Sequence, residues 1–188
     1  MTPLRVRDRF WELALESLDR KEWESLCDGC ARCCLKKLQE DTDEPDGPDE
    51  PDEPDEPDEP DETALRKETG SAGQARSTGG QLWYTRVVCR YLDQQKCQCT
   101  AYGSRQVLVP DCLVLDMTVL KKALHWIPDT CAYKLRYLNK PLPSWHPLLT
   151  GSRLAMQQAG INVTGRVISE EYVHEDGLEE HIIRWVKA

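Results

Sequence analysis

Residues 27–34, Cys-Asp-Gly-Cys-Ala-Arg-Cys-Cys (CDGCARCC), place four thiols within eight positions as CxxCxxCC, and their reading decides the fold. Two residues between thiols let a chain turn around a metal with its amides facing the sulfurs, and Gly29 inside the first loop tolerates φ > 0 without a Cβ clash. Both Zn²⁺ and iron–sulfur clusters use such loops. Two CxxC steps in succession match the start of ferredoxin-type sites, where one loop wraps a [4Fe–4S] cluster and a remote cysteine completes it; zinc sites use paired, separated knuckles. The spacing therefore favours an iron–sulfur cluster and leaves Zn²⁺ open. Adjacent Cys33 and Cys34 do not share one tetrahedral ion in relaxed geometry, so one of them faces a second site or stays a free thiol.

Working outward, the candidate ligands Cys27, Cys30, Cys33 and Cys34 are joined by Cys89, Cys97, Cys99, Cys112 and Cys131, in the strings VVCRY, QKCQCT, VPDCL and PDTCAY. Three motif thiols plus one later cysteine make one cluster; the nine thiols could supply two four-ligand sites with one left over. Any one of the later five, taken alone, reads equally well as a small buried hydrophobe. No secretory signal fits Met1–Phe10 (MTPLRVRDRF), and no apolar run approaches the roughly 20 residues that span a bilayer. A cytoplasmic location with no membrane span is the expectation. In that reducing compartment an odd number of cysteines is explained better by metal or cluster ligation than by disulfides.

The chain has 188 residues, room for one domain with decoration. Its 24 Lys+Arg against 33 Asp+Glu give −9, but residues 40–62 hold fifteen acids and no base, so the remainder carries +6. Prolines at 45, 48, 51, 54, 57 and 60 repeat with a period of three, the period of polyproline II, and Thr69–Gly80 is small and polar. Neither stretch can bury a core. The expected organisation is one metal- or cluster-binding domain over 1–188, interrupted by a disordered acidic and Gly/Ser-rich insertion at about 45–80.

The fold class expected is small and mainly α with minor β, irregular, and organised by the cysteine site. Phe10, Trp11, Leu13, Ala14, Leu15 and Leu18 recur at near-helical spacing and predict a helix over 4–18. Asp19 followed by Glu22 has the form of a capping box opening a short helix that carries Trp23 and Leu26 into Cys27. Leu82–Leu92 is rich in β-branched and aromatic residues and predicts a strand; Met117–Trp126 after Asp116, Cys131–Leu138, a helix capped by Thr150 or Ser152 running towards Gly160, and Gly177–Val186 predict helices, and 161–169 a strand.

Taken together, EWESLCDGCARCCLKKLQEDTDE (22–44), YTRVVCRYLD, KCQCTAY, VPDC, IPDTCAY and LPSWHPLLTGS resemble the bacterial CxxCxxCC family of zinc- or iron-chelating proteins, in order, from Glu22 to Ser152. The resemblance implies metal or cluster binding through these cysteines and supplies no reaction. In such relatives EDTDE runs almost directly into the YTRVVC-like segment, which makes roughly 45–80 an insertion. A more distant similarity, through the cysteine cluster, is to the flagellin lysine N-methylase group, so a cluster-containing methyltransferase is the alternative from another class. A zinc-built interaction module is the third.

Side-chain catalysis has little support. Of His125, His146, His174 and His181 none sits in HExxH. His146, in Ser144-Trp145-His146-Pro147, is a ligand, an acid or base, or a packed turn histidine, the last favoured. The Lys/Arg residues form no dense stripe with interleaved aromatics, and four thiolates on Zn²⁺ would remove about two charges from the remainder, so nucleic acid is not the expected partner. A protein partner is left open.

Overall fold

The computed structural model describes residues 6–39 and 81–188. The acidic insertion at about 45–80 lies outside the described residues.

The first expectation fails instructively. Residues 10–18 do not form one α-helix: two 3-10 turns, Phe10–Glu12 and Leu15–Ser17, are separated by extended backbone at Leu13 and Ala14. Phe10 and Leu15 are buried all the same. A short helix gains little from its own hydrogen bonds, so burial of the apolar side chains decides, and two tight turns bury these two.

Asp19 then caps α1 (Arg20–Leu26) with the full capping box: Glu22 N–H donates to Asp19 Oδ1 at 2.9 Å, and Asp19 N–H donates to Glu22 Oε2 at 3.1 Å. Glu22 is fully buried and takes a second clamp from Arg7, whose backbone amide and Nε reach Oε1 at 3.1 and 2.7 Å. Half-buried Trp23 donates its indole N–H to the Leu115 carbonyl at 3.0 Å and lies 4.9 Å from the Tyr133 ring. The last residue of α1, Leu26, is fully buried in a core shared with Phe10, Leu15, Leu120, Ile127 and Tyr133. The helix thus delivers the chain to Cys27 from a fixed anchor.

Beyond the cysteine loop the chain becomes sheet. β1 (Leu35–Gln39) pairs antiparallel with β2 (Leu82–Val88), from Leu35 opposite Val88 to Gln39 opposite Leu82. β2 is the centre. β3 (Leu92–Asp93) and β4 (Gln98–Cys99) make a separate small hairpin, while β5 (Ile168–Ser169) joins β2 in parallel and β6 (Ile182–Ile183) joins it antiparallel. Tyr84, Thr85, Val87 and Val88 on β2 are all buried, with β1 paired along one edge and β5 and β6 along the other, while Arg86 between them is exposed. Tyr84, Val88, Leu35, Ala31, Val163 and Val186 belong to a second core.

Short helices fill the gaps: α2 (Arg105–Leu108), α3 (Met117–Lys122) capped by Asp116, α4 (Ala132–Tyr137), α5 (Pro147–Thr150) and α6 (Leu154–Gln158). Among the described residues the longest α-helix, α1, has seven residues. The mainly-α expectation is therefore corrected: about 40% of the described residues are helical, 3-10 turns included, 14% are in strands, and a four-stranded sheet sits at the centre. The largest departure is 177–186, where a 3-10 segment, Glu175–His181, is followed by β6 instead of an amphipathic helix. Consecutive β-branched Ile182 and Ile183 fit an available edge of β2 better than a helix face. The strand over 161–169 also shrinks to its last two residues. Among the described residues no helix is long and apolar enough to cross a membrane.

The Glu22 clamp sets an acid limit. The hydrogen bond from Arg7 holds the Glu22 carboxyl at about 2, against an ordinary 4.5, so folded protein binds fewer protons than unfolded protein in that interval. The stabilisation is complete above pH 4.5 and is lost as pH falls through about 2. Glu22→Gln is expected to be less stable than wild type at pH 7, with the gap closing as pH is lowered from 4.5 towards 2; denaturant midpoints measured across that range check it.

Candidate metal centre

The loop from Cys27 to Cys34 connects the two cores, with Leu26 in one and Ala31 and Leu35 in the other. Two left-handed residues shape it. Gly29 has φ +69° and Ala31 φ +63°, the second a conformation that costs a residue with a Cβ about 1–2 kcal/mol. Asp28, inside the first CxxC, accepts the Cys30 amide on Oδ1 at 3.0 Å, an Asx turn that fixes the step from Cys27 to Cys30.

Arg32 holds this loop in place. Although charged, it is buried, and its guanidinium spends its donors on backbone and hydroxyl: Nε to the Ile161 carbonyl at 2.6 Å, Nη2 to the Gly160 carbonyl at 3.2 Å and Nη1 to Thr130 Oγ1 at 3.1 Å. Thr130 precedes Cys131, so the same side chain ties that remote cysteine to the motif. Trp185 lies 5.6 Å from the Arg32 Cζ. Lys37 folds back from β1, donating to the Cys33 carbonyl at 3.2 Å and the Leu35 carbonyl at 3.0 Å; after the adjacent Cys34 side chain, its charge is the next influence that lowers the Cys33 pKa.

Around this frame the thiols fall into two neighbourhoods. Cys33 lies within charge-interaction range of Cys27, Cys30 and Cys131, and Cys27 within range of Cys30 and Cys131. Cys34 lies within such range of Cys33, Cys89 and Cys112, and Cys112 within range of Cys33, Cys89 and Cys99, so Cys33 belongs to both groups. The β1–β2 register causes the second grouping: the Cys89 amide donates to the Cys34 carbonyl at 3.2 Å, just past the Leu35–Val88 pair. Vicinal Cys33 and Cys34 are the junction. The interaction of the two side chains lowers the pKa of Cys33 and raises that of Cys34, so the first of the pair is the readier thiolate. Cys97 stands apart, buried in the second core with its sulfur 3.2 Å from Thr164 Oγ1.

All nine cysteines are free thiols. Burial pushes Cys30 well above its ordinary 9.0 and Cys131 up to about 12. Without a cation these groups stay protonated, and among the described residues no three His, Cys, Asp or Glu side chains already converge to hold an ion. That spacing and that chemistry belong together, since neutral thiols have no reason to crowd, whereas a thiophilic cation draws thiolates in and displaces their protons. Buried Asp28 Oδ2, which has no hydrogen-bond partner, adds an anionic group beside the first set. The donor set fits a thiophilic ion or cluster, with Cys27, Cys30, Cys33 and Cys131 the residues that would hold it.

His146 is fully buried at the start of α5, where Nδ1 accepts the Leu148 amide at 3.2 Å. Nδ1 is thereby the unprotonated nitrogen and Nε2 carries the hydrogen, so the ring is the packed turn histidine, poorly suited to ligate a metal through Nε2. His174 is exposed, and half-buried His181 accepts from Arg86 Nε at 3.0 Å. Sequence reasoning missed Arg32, Lys37 and Asp28, whose roles rest on partners far along the chain or on one turn's geometry.

A profile of the CxxCxxCC family, described as "Putative zinc- or iron-chelating domain", matches residues 26–132. The chain is similar along most of its length to UPF0260 proteins of three bacteria: 39% identical to that of Marinobacter nauticus (94% of this chain, 95% of the relative), 37% to that of Rhodobacter capsulatus (95% of each) and 37% to that of Cellvibrio japonicus (94% and 96%). No solved structure matches.

Arg32 gives this geometry a direct check. Arg32→Met leaves the Ile161 carbonyl and Thr130 hydroxyl without their donor and is expected to cost about 1–3 kcal/mol, with Arg32→Lys, which lacks the fork, recovering less than half. Urea unfolding of the three proteins measures it.

Proposed function

Because the chain belongs to the CxxCxxCC family of zinc- or iron-chelating domains, we propose that it is a cluster protein whose first thiol set, Cys27, Cys30, Cys33 and Cys131, holds an iron–sulfur cluster of the [4Fe–4S] type. The observation that supports this reading is that remote Cys131 lies within charge-interaction range of Cys27 and Cys33, two thiols of the CxxCxxC run, while its neighbour Thr130 is bound by Arg32. That is the division of labour of a ferredoxin-type loop: one segment wraps, one distant thiol completes. Zn²⁺ is the runner-up, since the same thiols suit a tetrahedral ion.

When bound, a cluster supplies one-electron redox chemistry, and zinc supplies structure alone. The chain's own part is separate from either. Arg32 and the Asp28 turn fix where the sulfurs start; Lys37 supplies positive charge beside Cys33; the two cores close the rear of the loop. Cys34, Cys89 and Cys112 form a second set, which serves a second ion or stays reduced. Free thiols at this density suit a reducing compartment, so we place the protein in the cytoplasm.

Thiolate ligation contributes on the order of 10 kcal/mol, as much as a whole domain of this size is stable, so metal and folding should be linked. Anaerobic purification followed by a visible spectrum and analysis for iron, zinc and acid-labile sulfide is the test. Brown protein with about four iron and four sulfide per chain is expected. Cys30→Ala should lose metal and melt lower, while Cys97→Ala should keep its metal. Colourless protein with stoichiometric zinc would replace the cluster reading by the zinc one, and metal content indifferent to Cys30 would remove both.

A further inference from the structure

Gly29 marks the place where a second segment enters the site. A Cβ built on it would lie 2.4 Å from Nη2 and 2.8 Å from Cζ of Arg153, so the guanidinium occupies the space a side chain would need. Arg153 lies 124 positions further on, just before α6 and outside the part of the chain that matches the family profile. Its seat is the middle of the first CxxC, between Cys27 and Cys30. Among the described residues no carboxylate lies within ion-pair distance of it. An arginine without an ion pair among the described residues thus rests on the backbone of a thiol loop, and a metal held there by several thiolates would bring negative charge beside it.

The start of the 146–153 segment meets the same loop. Buried His146, its Nδ1 engaged by Leu148, has its Nε2–H without a completed hydrogen bond, with the Leu26 carbonyl and Asp28 among its polar neighbours. Asp28 Oδ2 is buried and likewise unpartnered. Both orphaned atoms flank the step from Leu26 to Gly29, so an imidazole N–H and a guanidinium from one short stretch face one turn of the cysteine loop.

We propose that Arg153 is a positioning residue of the metal centre, seated through the missing side chain of Gly29 so that its charge offsets that of the thiolates of Cys27 and Cys30 when metal is bound. The inference rests on the reading of those thiols as ligands. It accounts together for the missing side chain at Gly29 and for a guanidinium without an ion pair among the described residues. A metal held by four thiolates carries a net negative charge, and a cation fixed beside it favours the loaded state over the protonated, empty one.

Zn²⁺ alone is a sufficient probe. Its affinity is measured by competition with a chromophoric chelator at pH 7, in about 0.1 M and about 1 M salt, where the screening length falls from roughly 10 to 3 Å. Arg153→Met is expected to weaken binding by about tenfold at the lower salt, the scale of loss of an outer-sphere partner, and by less at the higher. Arg153→Lys should stay within about threefold of wild type, and Arg153→Glu should be worse than Met. In Cys30→Ala the Arg153 effect should vanish. Affinity unchanged in Arg153→Met and Arg153→Glu would overturn the inference while leaving the ligand reading intact, and Arg153→Lys as weak as Met would overturn the charge role. Wild-type protein whose affinity does not depend on Cys30 would overturn both. Because Arg153 is exposed, thermal unfolding of the metal-free variants is expected to match wild type, which separates a charge effect from misfolding.

Discussion

One buried guanidinium sets the geometry of this protein. Arg32, within the cysteine motif, bonds to the carbonyls of Gly160 and Ile161 and to the hydroxyl of Thr130, and so fixes two distant parts of the chain around one loop. A buried charge without partners is expensive, so the fold that satisfies all three bonds is strongly preferred to one that satisfies two. The position of Cys131 then follows from that of Thr130. The thiols are brought near one another by an interaction that involves no sulfur, which is why they can be neighbours before any cation draws them together.

Local chemistry was legible in the sequence wherever one turn decided the outcome. The Asp19–Glu22 box opens α1 as its spacing requires, Asp116 caps α3, and the aromatic and β-branched run at Leu82 is a strand. Where burial had to choose between equivalent local solutions, periodicity misled: residues 10–18 bury their apolar side chains from two 3-10 turns, and Ile182–Ile183 pair with β2. The overestimate of helix came from there. An apolar stripe at helical spacing says which residues seek a core; it does not say that a sheet edge is not a better place for them.

The candidate site divides in the same manner. The cysteines could be read directly and placed the chain in its family, but their grouping depends on β1–β2 register and on Arg32, neither of which has a local signature. No spacing distinguishes Cys97, which packs with Val163 and Val186, from Cys99 two positions away. Strand alternation would put both on one face; Cys97 precedes β4 with left-handed backbone (φ +51°), which breaks that alternation and turns its side chain into the second core.

The register of β1 and β2 also bears on how this fold tolerates change. Gln39 and Leu82 face each other as the last pair of an antiparallel ladder, although 42 residues separate them along the chain. The sheet fixes where those two ends stand and is indifferent to the length of chain that joins them. Closing a longer connection costs only a logarithm of its length, about 0.6 kcal/mol for each doubling, far below what the ladder and the two cores supply. Evolution can therefore lengthen, shorten or rewrite the intervening segment with the cysteine loop left in place, and an engineer could splice a reporter domain between the same two residues for the same reason.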